Sequence, residues 1–284
     1  MEKGIAQHEG EMWGRVFSRE NLFAALERVQ RNGGGPGVDG MRVEELPEHL
    51  RQHWESIREK LETGKYRPSP VKRVEIPKPG GGRRKLGIPT VLDRMIQQAM
   101  QQVLSEGFEE TFSDYSYGFR PGRSAHEAVE TAREYIEAGY QWVVDIDMEK
   151  FFDTVNHDRL MARMKTIVED KRVLRLVNEY LKAGVMVDGV VVGNEVGTPQ
   201  GGPLSPLLSN IVLSELDKKL EERGHRFVRY ADDCNIYVKS ERAAKRVMES
   251  TSRFIEGRMR LKVNKAKSAV GPAVKRQFLG FSFY

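Results

Sequence analysis

The chain has 284 residues, 39% of them hydrophobic and 31% charged, enough apolar material for one large or two ordinary domains with real cores. Forty-six basic against 41 acidic side chains leave a net charge of +5, a balance that suits a nucleic-acid partner and equally an ordinary basic protein. The single cysteine, Cys234, excludes an internal disulfide framework and fits a reducing compartment; no apolar run reaches the ~18 residues of a membrane span, and the first residues lack the apolar centre of a signal peptide.

In chain order, residues 1–17 read as a flexible tail. Ser18 caps a first helix in which Leu22, Leu26 and Val29 recur at helical spacing. "NGGGPGVDG" (32–40) ends it in a loop. Val43, Leu46, Leu50, Ile57 and Leu61 mark a second helix, stopped at Gly64. "VKRVEIPKPGGGRRKLGIP" (71–89) is a basic β-hairpin around a proline- and glycine-rich turn, decorated by Lys72, Arg73, Lys78, Arg83, Arg84 and Lys85. Thr90 caps a helix with Leu92, Ile96, Ala99 and Val103 on one face, and the capping box "SAHE" (124–127) opens another that ends near Gly139. "WVVDID" (142–147) is a short strand ending in acid. Helices follow over about 157–167 and 170–183. "GTPQGGPLSPLLSN" (197–210) then runs from a loop into a helix capped by Ser205, with Pro206 at its first position. A hairpin around "RYADDCNIYV" (229–238), a helix from Ser240, and strands around 261–263 and 278–283 complete the chain. The order predicts an α+β fold, an antiparallel sheet backed by helices.

Acids stand at two strand ends. Asp145 and Asp147 share a strand face, and Asp147 is the last residue before the turn. Asp232 and Asp233 sit at the tip of the later hairpin. Carboxylates gathered at one rim repel unless a cation neutralises them. Mg²⁺ suits them, since it takes one or two carboxylates plus substrate phosphates, and two such ions ~3.5–4 Å apart clamp an in-line phosphoryl displacement. A lone Asp-Asp pair is more often a solvated turn; the apolar runs on both sides and the second acid cluster weigh against that here. The six histidines have no ligand spacing with Cys234, which argues against a zinc site.

"IPKPGGGRRKLGIPT", "SYGFRPGRSAHEA", "DIDMEKFFDTVNHD", "GTPQGGPLSPLLSNI", "YADD" and "LKVNKAKS", in that order, resemble the reverse transcriptases of group II intron-encoded proteins, the maturase family, and most of all the bacterial group IIC type. The resemblance covers about residues 18–284. It implies a right-hand polymerase core of fingers and palm, with an antiparallel palm sheet backed by helices. Residues 18–125 and about 155–196 would form the fingers with their N-terminal extension, and 126–154 with 197–284 the palm. It implies an RNA-directed DNA polymerase that joins dNTPs to a primer 3′-OH, with Asp147, Asp232 and Asp233 as metal ligands for two Mg²⁺ ions, replaceable by Mn²⁺. Lys267 matches the lysine beside the pyrophosphate leaving group, with Lys265 as its alternative. Lys78 and Arg84 match the residues that hold the triphosphate, Phe152 the gate against a ribose 2′-OH, and Gln200 the residue near the nascent pair. Arg83 and Lys85 are candidate nucleic-acid contacts. So are Arg120 and Arg123, for which a structural salt bridge is the alternative. Asp145 and Asp153 fall outside the ligand position and read as structural.

The implied partners are an RNA template, the intron RNA, a DNA or RNA primer and dNTPs. The implied location is the bacterial cytoplasm, with no membrane. The last block, "FLGFSFY", closes the palm in this family, so a thumb is expected to be absent and the fragment's synthesis weak. An uncovered palm surface would then invite a homodimer. A second reading is an RNA-binding splicing cofactor with little polymerase activity. A viral-type RNA-dependent RNA polymerase is disfavoured by "YADD" and by Phe152.

Overall fold

The structure is a computed structural model and describes residues 10–77, 83–187, 189–192 and 201–283. The elements in chain order are α1 (10–16), α2 (Arg19–Asn32), α3 (Leu46–Glu62), β1 (Val71–Pro77), β2 (Arg83–Ile88), α4 (Val91–Glu109), α5 (Ala125–Glu137), β3 (Trp142–Ile146), α6 (Phe151–Thr154), α7 (His157–Met164), α8 (Lys171–Lys182), β4 (Val185–Val187), β5 (Val190–Val192), α9 (Ser205–Glu222), β6 (Arg226–Tyr230), β7 (Asp233–Val238), α10 (Glu241–Phe254), β8 (Ala269–Pro272), β9 (Gln277–Phe278) and β10 (Phe281–Ser282). The chain folds as two compact units, each built from two stretches. One runs up to Phe108 and resumes over Asn156–Ser205; the other holds Glu109–Val155 and the residues from Pro206 onward.

In the first unit the helix starts follow the capping signals. The Ser18 hydroxyl accepts from the Asn21 N–H, and α2 stops at Gly33, whose φ of 59° a side chain would resist. α4 is buried on almost every side. Met95, Ile96, Ala99, Met100, Val103, Leu104 and Phe108 are covered, and so is Asp93. The Asp93 carboxylate accepts from Tyr66 Oη (2.8 Å), the Ser69 N–H (3.0 Å), Thr90 Oγ1 (2.7 Å) and Tyr180 Oη (3.1 Å), so the 66–69 loop, the start of α4 and α8 meet at one acid. The sheet runs β2-β1-β4-β5. The predicted basic hairpin is β1 and β2, and β4 adds in parallel to β1 through Val71 and Val185. The predicted flexible tail needs correction over 10–16. That stretch is helical because Trp13 (7% exposed) and Val16 are buried, with the Trp13 N–H on Asp170 Oδ2 (3.1 Å) and the Arg172 guanidinium over its ring.

The second unit is a four-stranded antiparallel sheet ordered β6-β7-β3-β8. β3 lies inside, paired with β7 from Trp142–Val238 to Ile146–Cys234, and with β8 from Trp142–Pro272 to Asp145–Ala269. Its side chains alternate. Val143 joins a cluster with Val228, Tyr237 and the α5 residues Ala128 and Ala132, while α10 packs along β3, β7 and β8. The capping box at Ser124 and Glu127 forms in both directions and fixes the start of α5. Residues 109–125, expected with the fingers, belong to this unit. The Arg229 N–H donates to the Tyr115 carbonyl (2.9 Å) and the Tyr117 N–H to the Arg229 carbonyl (2.8 Å), so this loop adds a parallel rung to the outer edge of β6. The strand expected around 261–263 reduces to a single bridge, Met148 with Val263.

Candidate active site

Within the second unit Asp233 lies near enough to Asp232, Asp145 and Asp147 for the charge of each to act on it. Asp147 follows the last residue of β3. Its N–H donates to Ser268 Oγ (2.9 Å) and its carbonyl accepts from the Asn264 N–H (2.9 Å), so the "NKAKS" loop grips the strand end by its backbone. Asp233 opens β7 and pairs with Tyr230 across the hairpin, leaving Ala231 and Asp232 as the two turn residues. Ala231 has φ 56°, a left-handed conformation in which a two-residue hairpin usually carries glycine. Beneath the turn, Gly118 lies so close to the Ala231 N–H that a Cβ there would collide with it. Asn210 Nδ2 holds the Gly118 carbonyl at 2.8 Å.

The electrostatics match the crowding. Asp233 is exposed to solvent on one side, yet the protein around its carboxyl, and then the charges of Asp232, Asp145 and Asp147, push it up to about 6. Lys267 pulls it partly back. Asp145 is raised as well, first by burial, while Arg276 opposes the shift and Asp147 adds to it. The Lys267 ammonium stands 3.6 Å from Asp147 Oδ2 and is well exposed. Among the described residues, no three His, Cys, Asp or Glu side chains form a ready-made metal cage. Mg²⁺ does not need one, because it is held by one or two carboxylates and completes its shell with water and phosphate oxygens. The charges of Asp232 and Asp147 help to raise Asp233, and a divalent cation relieves such a gathering of hard oxygen donors, so Asp147, Asp232 and Asp233 fit it.

Other expected site residues fall in several places. Phe152 lies on α6, half-buried, with its ring edge-on to the fully covered Phe151 at 5.3 Å. Phe151 is therefore the packing ring of the two. Lys78 and Gln200 lie outside the described residues. Arg84 stands in β2 opposite Ile76, Lys85 opposite Glu75 and exposed, and exposed Arg83 pairs with Glu75 at 3.4 Å. Arg120 turns inward instead of toward a phosphate. Its side chain is 4% exposed and donates to Glu109 Oε1 (2.9 and 2.7 Å) and to the Ser113 and Ser116 carbonyls (2.5 and 2.6 Å). The salt-bridge alternative is thus the geometry it adopts. Arg123 holds Asp114 at 3.0 Å and lies over the Tyr117 ring. The "GG" that follows Gln200 has a role inside the protein. A Cβ on Gly201 (φ 118°) would strike the Gly87 carbonyl of β2, and one on Gly202 would strike Gln97.

Sequence reasoning assigned nothing to Arg229, Asp217, Asn210 or Gly118. An arginine in "RFVRY" reads as a surface residue. The available signal was its position in a short strand beside the apolar pair Phe227 and Val228.

A β-strand ending in one carboxylate, beside an antiparallel hairpin tipped by two more and backed by helices, is the palm of a polynucleotide polymerase. The comparison with known proteins agrees: residues 76–283 match the reverse transcriptase (RNA-dependent DNA polymerase) family. The chain belongs to that family, in its group II intron-encoded branch. Protein YkfC of Escherichia coli K12 is 32% identical over 306 residues, covering 93% of this chain and 80% of YkfC. Group II intron-encoded protein LtrA of Lactococcus lactis is 35% identical over 216 residues, covering 76% of this chain and 36% of LtrA. This chain therefore spans about a third of the length of LtrA. A telomerase from Candida tropicalis, solved with a fragment of telomeric RNA, shares the fold with a TM-score of 0.57 at 16% identity, over 81% of this chain and 47% of the telomerase chain.

Proposed function

We propose that the chain performs RNA-templated DNA synthesis as the fingers and palm of a group II intron-encoded reverse transcriptase, and that it also binds intron RNA in a maturase role. The observation that supports this most is the convergence of Asp147, Asp232 and Asp233 at one sheet rim with Lys267 beside Asp147. The three carboxylates are the proposed ligands of Mg²⁺, which when bound supplies charge stabilisation at the attacking and leaving oxygens. The Lys267 ammonium, exposed and mobile on its stem, stabilises a departing pyrophosphate and donates a proton to it. Phe152 excludes a 2′-OH by clash, so dNTPs are preferred over rNTPs. Lys78, Arg84 and Gln200 act on the incoming nucleotide, as the family resemblance implies, through charge-assisted contacts to phosphate and packing near the new pair.

Primer extension on an RNA template tests this, with dNTPs or rNTPs and with Mg²⁺ present or chelated. Wild type extends with dNTPs and Mg²⁺, and Asp232→Asn lowers the rate by ~10²–10³, the scale for losing one charge-stabilising group. Phe152→Ala admits rNTPs. A wild type that never extends a primer refutes the polymerase reading. RNA binding that persists in Asp232→Asn supports a separate maturase role.

A further inference from the structure

Arg229 is completely buried, as is its partner Asp217. A guanidinium has five N–H groups, and here each finds an acceptor. Nε donates to Asp217 Oδ1 (2.7 Å). Nη2 donates to Asp217 Oδ2 (2.6 Å) and Ser116 Oγ (2.7 Å). Nη1 donates to Asn210 Oδ1 (2.9 Å) and to the Ala231 carbonyl (2.8 Å). Burying such a pair takes both charges out of water, and apolar residues of similar volume commonly hold a core as well or better. Stability alone is a poor reason for it. What an apolar pair cannot do is donate to the Ala231 carbonyl.

That carbonyl belongs to the strained residue of the turn. Ala231 holds a left-handed φ with a Cβ that disfavours it. Such a conformation persists only where its surroundings over-determine it. Arg229 grips the residue from its carbonyl side while Gly118 closes on its N–H, and Asn210 ties the two supports together by accepting from Arg229 and donating to Gly118. The next two residues are Asp232 and Asp233. We propose that Arg229 is a positioning residue for the metal site: through the Ala231 carbonyl it sets the direction of the Asp232–Asp233 pair before a cation arrives, with Asp217 and Asn210 fixing the guanidinium. The proposal rests on the polymerase reading only in taking these carboxylates as cation ligands.

The test measures Mn²⁺ binding by electron paramagnetic resonance, without nucleotide or nucleic acid, on protein shown to be folded by circular dichroism and urea unfolding. The part of the binding lost in Asp232→Asn defines the site. If wild type and Asp232→Asn bind alike, the ligand assignment itself fails. If they differ, the double variant Arg229→Met with Asp217→Leu decides. It removes the buried charges together and so keeps the fold, and it lowers the site's affinity ~10–100-fold, the range for losing a group that orients metal ligands. Arg229→Lys keeps the charge opposite Asp217 but loses the fork that reaches Ala231, and it shows the same direction of change. Tyr66→Phe, which removes a buried hydrogen bond in the other unit, lowers stability and leaves Mn²⁺ affinity unchanged. Wild-type affinity in either folded Arg229 variant overturns the proposal.

Discussion

Asp233 has a folded-state pKa of about 6 against an ordinary value of 3.8, so its ionisation weakens the fold. Below the ordinary value the group is protonated both folded and unfolded and has no effect. As pH rises through about 6, the folded state loses stability relative to the unfolded one, the reverse of a salt-bridged carboxylate. In chelator, Asp233→Asn should therefore melt higher than wild type at pH 7.5. The gain is about 1 kcal/mol once solvent screening of this exposed group is allowed for, or ~2–4 °C. It should vanish near pH 4. Thermal melts of both proteins at both pH values check this, and an equal gap at each pH would contradict it. The acids themselves were legible, because strand periodicity puts Asp147 at a strand end and the apolar flanks mark the hairpin. Arg120 and Arg229 were not. Arginine is almost never fully buried, so no local pattern announces one whose acceptors are the loop carbonyls of Ser113 and Ser116 or a helix acid such as Asp217.

Two elements meet through bare backbone where Gly201 faces Gly87 in β2. Gly201→Ala combines a φ of 118° with a collision against a carbonyl, and should cost about 1–3 kcal/mol, read as a lower urea midpoint with an unchanged slope. A midpoint equal to wild type would mean that the contact has slack. Sequence gives the need for a small residue but not the neighbour that imposes it. The strands divide along similar lines. β1, β2, β3, β6 and β7 were readable from apolar runs between turn signals. β8, "AVGP", reads as a turn because glycine and proline punctuate local structure, and it is a strand only through its pairing with β3. β4 and β5 are three residues each, too short for a periodicity. α1 was missed because Trp13 and Val16 are its only core residues and the partners of Trp13, Asp170 and Arg172, are distant in sequence.

For the whole chain, RNA affinity should fall with salt in proportion to the phosphates contacted. Arg83→Ala and Lys85→Ala are each expected to reduce the slope of log K against log salt by ~1. Arg120→Leu should leave that slope alone and lower stability instead, since its guanidinium is enclosed. Filter-binding titrations across a salt series separate the two outcomes, and a slope change in Arg120→Leu would reinstate it as a phosphate contact. Each unit is made of two stretches divided by part of the other, and this bears on how the protein comes into being. β3 is the inner strand of its sheet, yet both its neighbours, Asp233–Val238 and Ala269–Pro272, are translated much later. At ~5–20 residues per second, the apolar segment "WVVDI" waits on the order of ten seconds beyond the ribosome with two unpaired edges. The strand that leads to Asp147 is thus a hazard of the nascent chain, and ribosomes halted before β8 would release a sheet whose open β3 edge can take a strand from another molecule.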